Sequence, residues 1–331
     1  MEIALLLIGG LALLAGGGEL LVRGAVGVAE RLGVSPLLIG LTLVGFGTST
    51  PEAVTSVQAA LAGSPGIAVG NVVGSNIANI LLILGLAAVI SPVVVGSNAL
   101  RRDGVVVVAV AVLLTAIAFL MPVGRVVGFL FLCGLAGYIA YAWRQERAGA
   151  DGHTAAFEKA EAYELTHPGA PVGAATARVP AGSILLPLGL ALGGLVLVVF
   201  GGGLLVDGAI RLARSLGISE TVIGLTIVAV GTSMPEFVTS LVAALRRQSD
   251  VALGNILGSN IYNILGILGV TGLIAPISVP AEIARFDNLV MVAVSLALLA
   301  FAWTGMRIGR REGAALLAGY VAYVWWIWPA A

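Results

Sequence analysis

Long apolar stretches separated by short polar breaks dominate the chain from its first residues. At about 20 apolar residues per bilayer crossing, the pattern predicts spans near 3–29, 34–62, 66–90, 103–121 and 125–143. After a polar interval it predicts five more near 183–212, 218–246, 251–275, 286–304 and 311–329. The expected fold is therefore an all-α polytopic membrane protein of about ten transmembrane helices. The run AGGGELLVRGA at 15–25 reappears as FGGGLLVDGA at 200–209. That repetition, and Glu2 where a signal peptide would carry basic residues, mark the first stretch as a retained span.

The repetition is strongest in 40–85, GLTLVGFGTSTPEAVTSVQAALAGSPGIAVGNVVGSNIANILLILG, which returns at 224–269 as GLTIVAVGTSMPEFVTSLVAALRRQSDVALGNILGSNIYNILGILG. Aligned without a gap at an offset of 184, these stretches are identical at 28 of 46 positions. Arg101 and Asp103 recur as Arg285 and Asp287, and LAGYIAYAW (135–143) recurs as LAGYVAYVW (317–325). The chain thus divides into a first five-helix repeat (1–143), a linker (144–182) and a second five-helix repeat (183–331). Five spans per repeat is an odd number, so the second repeat should enter the bilayer from the opposite side. Arginine and lysine concentrate in the loops of one face. The positive-inside rule puts both termini outside and the linker in the cytoplasm. The linker carries both histidines, His153 and His167, and reads as a solvated tether. Tyr320, Tyr323, Trp325, Trp326 and Trp328 read as an interfacial aromatic belt.

With 59% hydrophobic and 10% charged residues, the composition leaves little room for a soluble domain, and the bilayer is the expected partner. Net charge is zero and no basic cluster suggests nucleic acid. The single cysteine, Cys133, precludes an internal disulfide and is expected to be a small packed residue.

The informative chemistry is a glutamate in each apolar repeat, Glu52 and Glu236. A carboxylate in a hydrocarbon environment is a functional candidate by default, and no basic residue of the spans is placed to neutralise either one. Pro51 lacks an N–H and crowds the carbonyl four residues back, so the helix should break between Gly45 and Pro51. Such a break leaves carbonyls that only protein, water or a cation can satisfy. Thr48, Ser49 and Ser56 share a helical face with Glu52, and Thr232, Ser233 and Ser240 repeat this around Glu236. Asn71, Ser75 and Asn79 follow at intervals of four, and Asn255, Ser259 and Asn263 are their counterparts. Thr55 and Thr239 are expected only to bond back to their own helices, whereas Asn71 and Asn255 could either ligate or join helices. Pooled carboxylates, hydroxyls, amides and carbonyls suit a hard cation such as Ca²⁺, which takes six to eight oxygens. Zinc, copper or iron would call for clustered His or Cys. Two glutamates balance one Ca²⁺ or two Na⁺, so the two ions would compete. Glu19 has Gly203 as its counterpart, which argues against a paired site there. Arg23 and Asp207, at equivalent positions, could pair across the halves or snorkel.

These motifs, GTSTPE with GNVVGSNIANI and GTSMPE with GNILGSNIYNI, resemble the cation/calcium exchanger superfamily, most closely its prokaryotic sodium/calcium exchanger-like members. The resemblance implies two inverted five-helix repeats around a mid-membrane site between helices 2, 3, 7 and 8. It implies Ca²⁺ ligation by Glu52, Glu236 and the carbonyls near Thr48 and Thr232. Sodium sites would use Ser49, Ser75, Ser233, Ser259, the Gly45 and Ala229 carbonyls and the same glutamates, with Asn79 and Asn263 lining the centre. Asn263 stands where some relatives, potassium-dependent ones among them, carry aspartate, which speaks against a potassium requirement.

The expected activity is electrogenic Na⁺/Ca²⁺ antiport across the cell (inner) membrane by alternating access. No cofactor is expected beyond the transported Ca²⁺ and Na⁺; the sequence leaves the oligomeric state open and is compatible with a monomer. An H⁺/Ca²⁺ or other divalent exchanger is the alternative, a cation channel a remote one. An enzyme is not expected, because no catalytic constellation lies in the spans. In this resemblance helices 1 and 6 slide past the core. Bulky replacement of Gly17 or Gly202 is then expected to slow transport and spare binding.

Overall fold

The computed structural model describes residues 2–34, 36–95, 98–148, 153–167, 183–304 and 307–328. Each apolar stretch is helical. In chain order these are α1 (Glu2–Arg31), α2 (36–48), α3 (Thr50–Leu61), α4 (Pro65–Ile90), α5 (Asn98–Leu120) and α6 (Arg125–Ala148). The linker contributes α7 (Ala155–Thr166). Then come α8 (Leu185–Leu216), α9 (Glu220–Thr232), α10 (Met234–Leu245), α11 (Ser249–Ile274), α12 (Asn288–Thr304) and α13 (Arg310–Ile327). Among the described residues seven helices are long and apolar enough to cross a membrane, and α9 with α10, bent by 52°, is an eighth candidate if the bent pair is one span. Two two-residue strands, β1 (Val93–Val94) and β2 (Arg307–Ile308), pair antiparallel with Val93 opposite Ile308.

Local geometry repeats at the sequence offset. Helix α2 widens to a π-turn at Gly40–Val44 and α9 does so at Gly224–Val228. Both helices stop at a serine, Ser49 (φ −89°, ψ 12°) and Ser233 (φ −81°, ψ 12°), and the next helix starts with proline in its first turn. Proline's missing N–H does no harm there. The expected break is therefore one residue wide. Further π-turns at Asn79–Leu84 and Tyr262–Ile267 interrupt α4 and α11; such wide turns often accompany functional sites.

The outer surface carries many large apolar side chains, including Leu5, Ile8, Phe129, Trp325 and Trp326, whereas Glu52, Glu236 and the asparagines and serines of the repeated motifs are buried. Helices α1 and α8 lie together along their length, because small residues recur every seven positions. A methyl on Gly10 would meet the backbone of Gly201 and Leu205; on Gly17, that of Gly194 and Val198; on Gly24, that of Pro187 and Ala191. Gly17 thus belongs to the contact between these two helices, whereas Gly202 faces Val54 of α3.

Several expectations need correction. Cys133 is exposed on the apolar outer surface, not packed. Tyr323 is buried and donates to Asp287 Oδ1 at 2.9 Å, so it is not a belt residue, whereas Trp325 and Trp326 are exposed. Arg23 pairs with Glu19 within α1 and Asp207 with Arg211 within α8, so Arg23 and Asp207 do not pair with each other; Arg211 also reaches Glu2 of α1 at 2.6 Å.

The largest departure is the linker. Residues 155–166 form a helix wedged between α11 on one side and α1 and α2 on the other. Thr154 caps it, accepting from Phe157 N, and Asp103 of α5 accepts from Ala155 N at 2.6 Å. Thr154 N and Oγ1 both donate to Glu146 Oε1. At the far end Tyr163 OH donates to Glu19 Oε2 at 3.0 Å, and His167 Nε2 lies 2.8 Å from the same oxygen. These ties replace the solvent a tether would need: α7 is not a solvated segment.

Candidate cation site

The two breaks face each other in the middle of the bundle. Glu52 and Glu236, each in the first turn of a restarted helix, are 1% and 2% exposed. Carboxylates at helix N-termini gain from the helix dipole, which is one reason a break beside each glutamate suits a buried anion. The serines at the breaks cross over. Ser49 Oγ donates to Glu236 Oε1 at 3.2 Å, and the Ser233 hydroxyl faces the Glu52 carboxyl. Ser233 Oγ also donates to Ser75 Oγ at 2.9 Å, and Ser75 Oγ to the Ala229 carbonyl at 3.4 Å. Thr48 Oγ1 donates to the Gly45 carbonyl, and Thr232 Oγ1 lies 3.0 and 3.3 Å from the carbonyls of Val228 and Ala229. Twelve positions were expected at the site. Glu52, Glu236, Ser49, Ser233, Ser75, Ala229 and Ser259 are linked through these contacts and Lys159, described below. Thr48, Thr232 and Gly45 lie on the segments leading into the breaks.

Asn79 and Asn263, expected at the centre, are each held by an asparagine of the other repeat. Asn79 Nδ2 donates to Asn260 Oδ1 at 2.9 Å, and Asn263 Nδ2 to Asn76 Oδ1 at 3.2 Å. Asn76 and Asn260, the asparagines of GSN in each motif, were not singled out from sequence. They orient Asn79 and Asn263 by the amide N–H, leaving Asn79 Oδ1 and Asn263 Oδ1 without a donor.

Asn71 and Asn255 are brackets. Asn71 Nδ2 donates to the Glu52 carbonyl at 3.0 Å and to Ser56 Oγ at 2.9 Å, and its Oδ1 accepts from Thr232 Oγ1. Asn255 Nδ2 reaches the Glu236 carbonyl at 3.2 Å, Thr239 Oγ1 and Ser240 Oγ. Each amide pins the backbone of its repeat's glutamate. Thr239 Oγ1 donates back to the Pro235 carbonyl at 3.0 Å, as expected. Thr55 Oγ1 has no partner, contrary to expectation.

Two acceptors on the glutamates, Glu52 Oε2 and Glu236 Oε2, are likewise buried without a donor. Buried acceptors are normally satisfied, and leaving one unmade costs about 1–3 kcal/mol. Among the described residues no three His, Cys, Asp or Glu gather in a metal-holding group. The pair of carboxylates with neutral oxygens is the donor set of a hard cation. Glu236 does have a counter-charge, which the sequence reading missed: Lys159 Nζ of α7 lies 3.2 Å from Glu236 Oε1 and 2.5 Å from Ser259 Oγ. Residues 144–182 are polar throughout, which gives Lys159 the look of an ordinary loop charge; its being the chain's one lysine is the signal the sequence offers.

The family described as "Sodium/calcium exchanger protein" matches residues 2–144 and 186–328. The chain belongs to this family. It is accordingly a membrane transporter of the exchanger type and not an enzyme. It is 39% identical over 319 residues to the putative antiporter CaxA of Alkalimonas amylolytica, covering 95% of each chain. It is 38% identical to the sodium/calcium exchanger MaX1 of Methanosarcina acetivorans, covering 97% of each. The inner membrane protein YrbG of Escherichia coli is 35% identical over 98% of this chain and 97% of its own. Among solved structures, the sodium-calcium exchanger NCX_Mj superposes with a TM-score of 0.61 at 33% identity, with 98% of both chains covered. The matched family segments stop on either side of the linker, so α7 lies outside both of them.

Proposed function

We propose that the chain exchanges Na⁺ for Ca²⁺ by alternating access, through a site in which Glu52 and Glu236 supply the charge. Ser49, Ser233, Ser75 and Ser259 would supply hydroxyl oxygens, and the carbonyls near Thr48, Thr232, Gly45 and Ala229 would complete the shell. Four buried oxygens without a donor, Glu52 Oε2, Glu236 Oε2, Asn79 Oδ1 and Asn263 Oδ1, carry this reading. A donor-free oxygen in a low-dielectric interior is what a partly dehydrated cation needs. Two carboxylates match one Ca²⁺ or two Na⁺, so loading with one ion excludes the other.

The transport cycle uses ten spans in two inverted repeats, with both termini outside and 144–182 on the cytoplasmic side. The repeat at offset 184 and the bias of arginine toward one set of loops support that arrangement. Helices α1 and α8, locked to each other through Gly10, Gly17, Gly24, Gly194 and Gly201, would move as one unit across α3 and α10. The assigned ligands are tested by replacing one carboxylate at a time. Glu52→Gln and Glu236→Gln each remove a unit of charge at nearly constant volume, and each should abolish Na⁺-driven ⁴⁵Ca²⁺ uptake. Wild-type uptake by either variant would refute the site.

A further inference from the structure

Of the 17 basic residues in the chain, only residue 159 is lysine. That lysine is fully buried, with its ammonium on Glu236 and Ser259, two oxygens that the exchange reading gives to the cation. Lysine carries a compact point charge with three donors, whereas arginine carries a planar fork. The ammonium therefore stands where a monovalent cation would, tethered to the protein.

The wedge around it breaks the repeat. In the first half, α4 places Gly66, Gly70 and Gly74 against α9: a methyl on Gly74 would meet the Leu225 backbone at 2.4 Å, and one on Gly70 that of Thr221 and Leu225 at 3.1 Å. The offset of 184 makes Gly254 and Gly258 of α11 the counterparts of Gly70 and Gly74, and Leu37 and Leu41 of α2 the counterparts of Thr221 and Leu225. Yet Gly254 and Gly258 face Glu158, Ala155 and Lys159 of α7. The other side of α7, through Ala160 and Tyr163, packs on Ile39 and Val44 of α2. So α7 sits between the Gly254–Gly258 face of α11 and the segment that repeat symmetry would press against that face.

We propose that α7 is a displaceable inhibitory wedge. Docked, it occupies the Glu236–Ser259 side of the cation site with Lys159 and holds α2 off the Gly254–Gly258 face of α11, while Tyr262 further along α11 still reaches Leu41 of α2; transport requires its release, after which that glycine face receives α2 as that of α4 receives α9. The composition of α7, AAFEKAEAYELT, fits both states. Docked, the stems of Glu158 and Lys159 and the Ala155 carbonyl lie over the glycines of α11, while Glu161 and Glu164 and the strong helix formers of α7 suit a free helix in water. The chain on its C-terminal side, 168–182, spans up to roughly 50 Å when extended, enough for the helix to leave. A tethered group acts at an effective concentration in the millimolar range or above, so Lys159 weakens apparent Ca²⁺ affinity about tenfold or more.

This proposal rests on the exchange reading, and two readouts separate their failures. The first uses the full-length protein with Cys133→Ser and Ala156→Cys. Ala156 is fully buried on α7, so maleimide labelling reports undocking without any transport. Ca²⁺ or Na⁺, compared with choline, should raise the labelling rate about tenfold, in line with a competing ammonium; an unchanged rate overturns the wedge whether or not the chain transports. The second readout is ⁴⁵Ca²⁺ uptake by Ala160→Trp, which overfills the α7–α2 contact and touches no assigned ligand. Faster labelling together with uptake several-fold above wild type supports inhibition. Faster labelling with uptake at or below wild type overturns it and makes α7 a structural element. Lys159→Gln should likewise tighten apparent Ca²⁺ affinity, and loss of uptake in that variant would make Lys159 a required counter-ion instead. If no variant takes up Ca²⁺ but cations still speed labelling, the wedge stands and the cargo assignment falls.

Discussion

Three consecutive glycines on α8 point into three environments, which turns the proposed sliding of α1 and α8 into a controlled experiment. A methyl on Gly201 would lie 2.7 Å from Leu13 Cβ and 2.9 Å from both the Gly10 carbonyl and Leu14 N of α1. On Gly202 it would lie 2.8 Å from Val54 Cγ1 of α3, and on Gly203 it would meet nothing within 4 Å. Carbon atoms rest at about 3.5–4.0 Å, so Gly202→Ala needs roughly 1 Å of relief at the α8–α3 contact. Overpacking of this kind costs about 1–3 kcal/mol. If that contact tightens as α8 passes α3, a barrier raised by about 1.4 kcal/mol slows turnover roughly tenfold. Equilibrium Ca²⁺ binding should change little, because Gly202 touches no assigned ligand. Gly201→Ala must part the two backbones and should lower thermal stability, whereas Gly203→Ala should transport as wild type. The assay pairs initial ⁴⁵Ca²⁺ uptake rates with equilibrium binding in the same preparations. Gly202→Ala transporting at the wild-type rate, or losing binding in proportion to rate, would rule out a sliding contact between α8 and α3.

Other substitutions test the brackets around the glutamates. Thr239→Val removes bonds to the Pro235 and Glu236 carbonyls and the hydroxyl that Asn255 reaches, so it should cost about 1–3 kcal/mol. Thr55→Val, at the equivalent position, removes a buried hydroxyl with no partner and should be neutral or stabilising; thermal unfolding in detergent compares the two directly. Asn71→Leu frees the Glu52 carbonyl, Ser56 and Thr232 together. It should lower Ca²⁺ affinity about tenfold or more through misplacement of Glu52, at about 1.4 kcal/mol per tenfold. Unchanged affinity in a titration would remove Asn71 from the site's support.

Much of the site was legible because its signals are local. A proline beside a glutamate in apolar sequence predicts a broken helix with a costly anion at its restart, and duplication at a fixed offset supplies the partner. The crossing of Ser49 to Glu236 belongs to the packing of the two repeats, so only its participants could be named from sequence. Asn76 and Asn260 escaped notice because orienting another amide leaves no local pattern. The linker was misread for a physical reason. A segment of Ala, Glu and Lys is polar enough for solvent, and polarity alone does not separate solvent from a cleft lined by Glu236, Ser259 and Glu19. Gly17 and Gly202 share a motif, but one residue's rotation about the helix sends them to different neighbours.

Na⁺ and Ca²⁺ are proposed to exchange through the oxygens around Glu52 and Glu236. The most direct test loads proteoliposomes with Na⁺, dilutes them into Na⁺-free buffer containing ⁴⁵Ca²⁺, and runs a proton gradient alone in parallel. The account predicts uptake that requires internal Na⁺ and is absent in Glu52→Gln and Glu236→Gln. Uptake driven by the proton gradient without Na⁺ would contradict sodium coupling, and Na⁺-driven uptake that survives both substitutions would contradict the site.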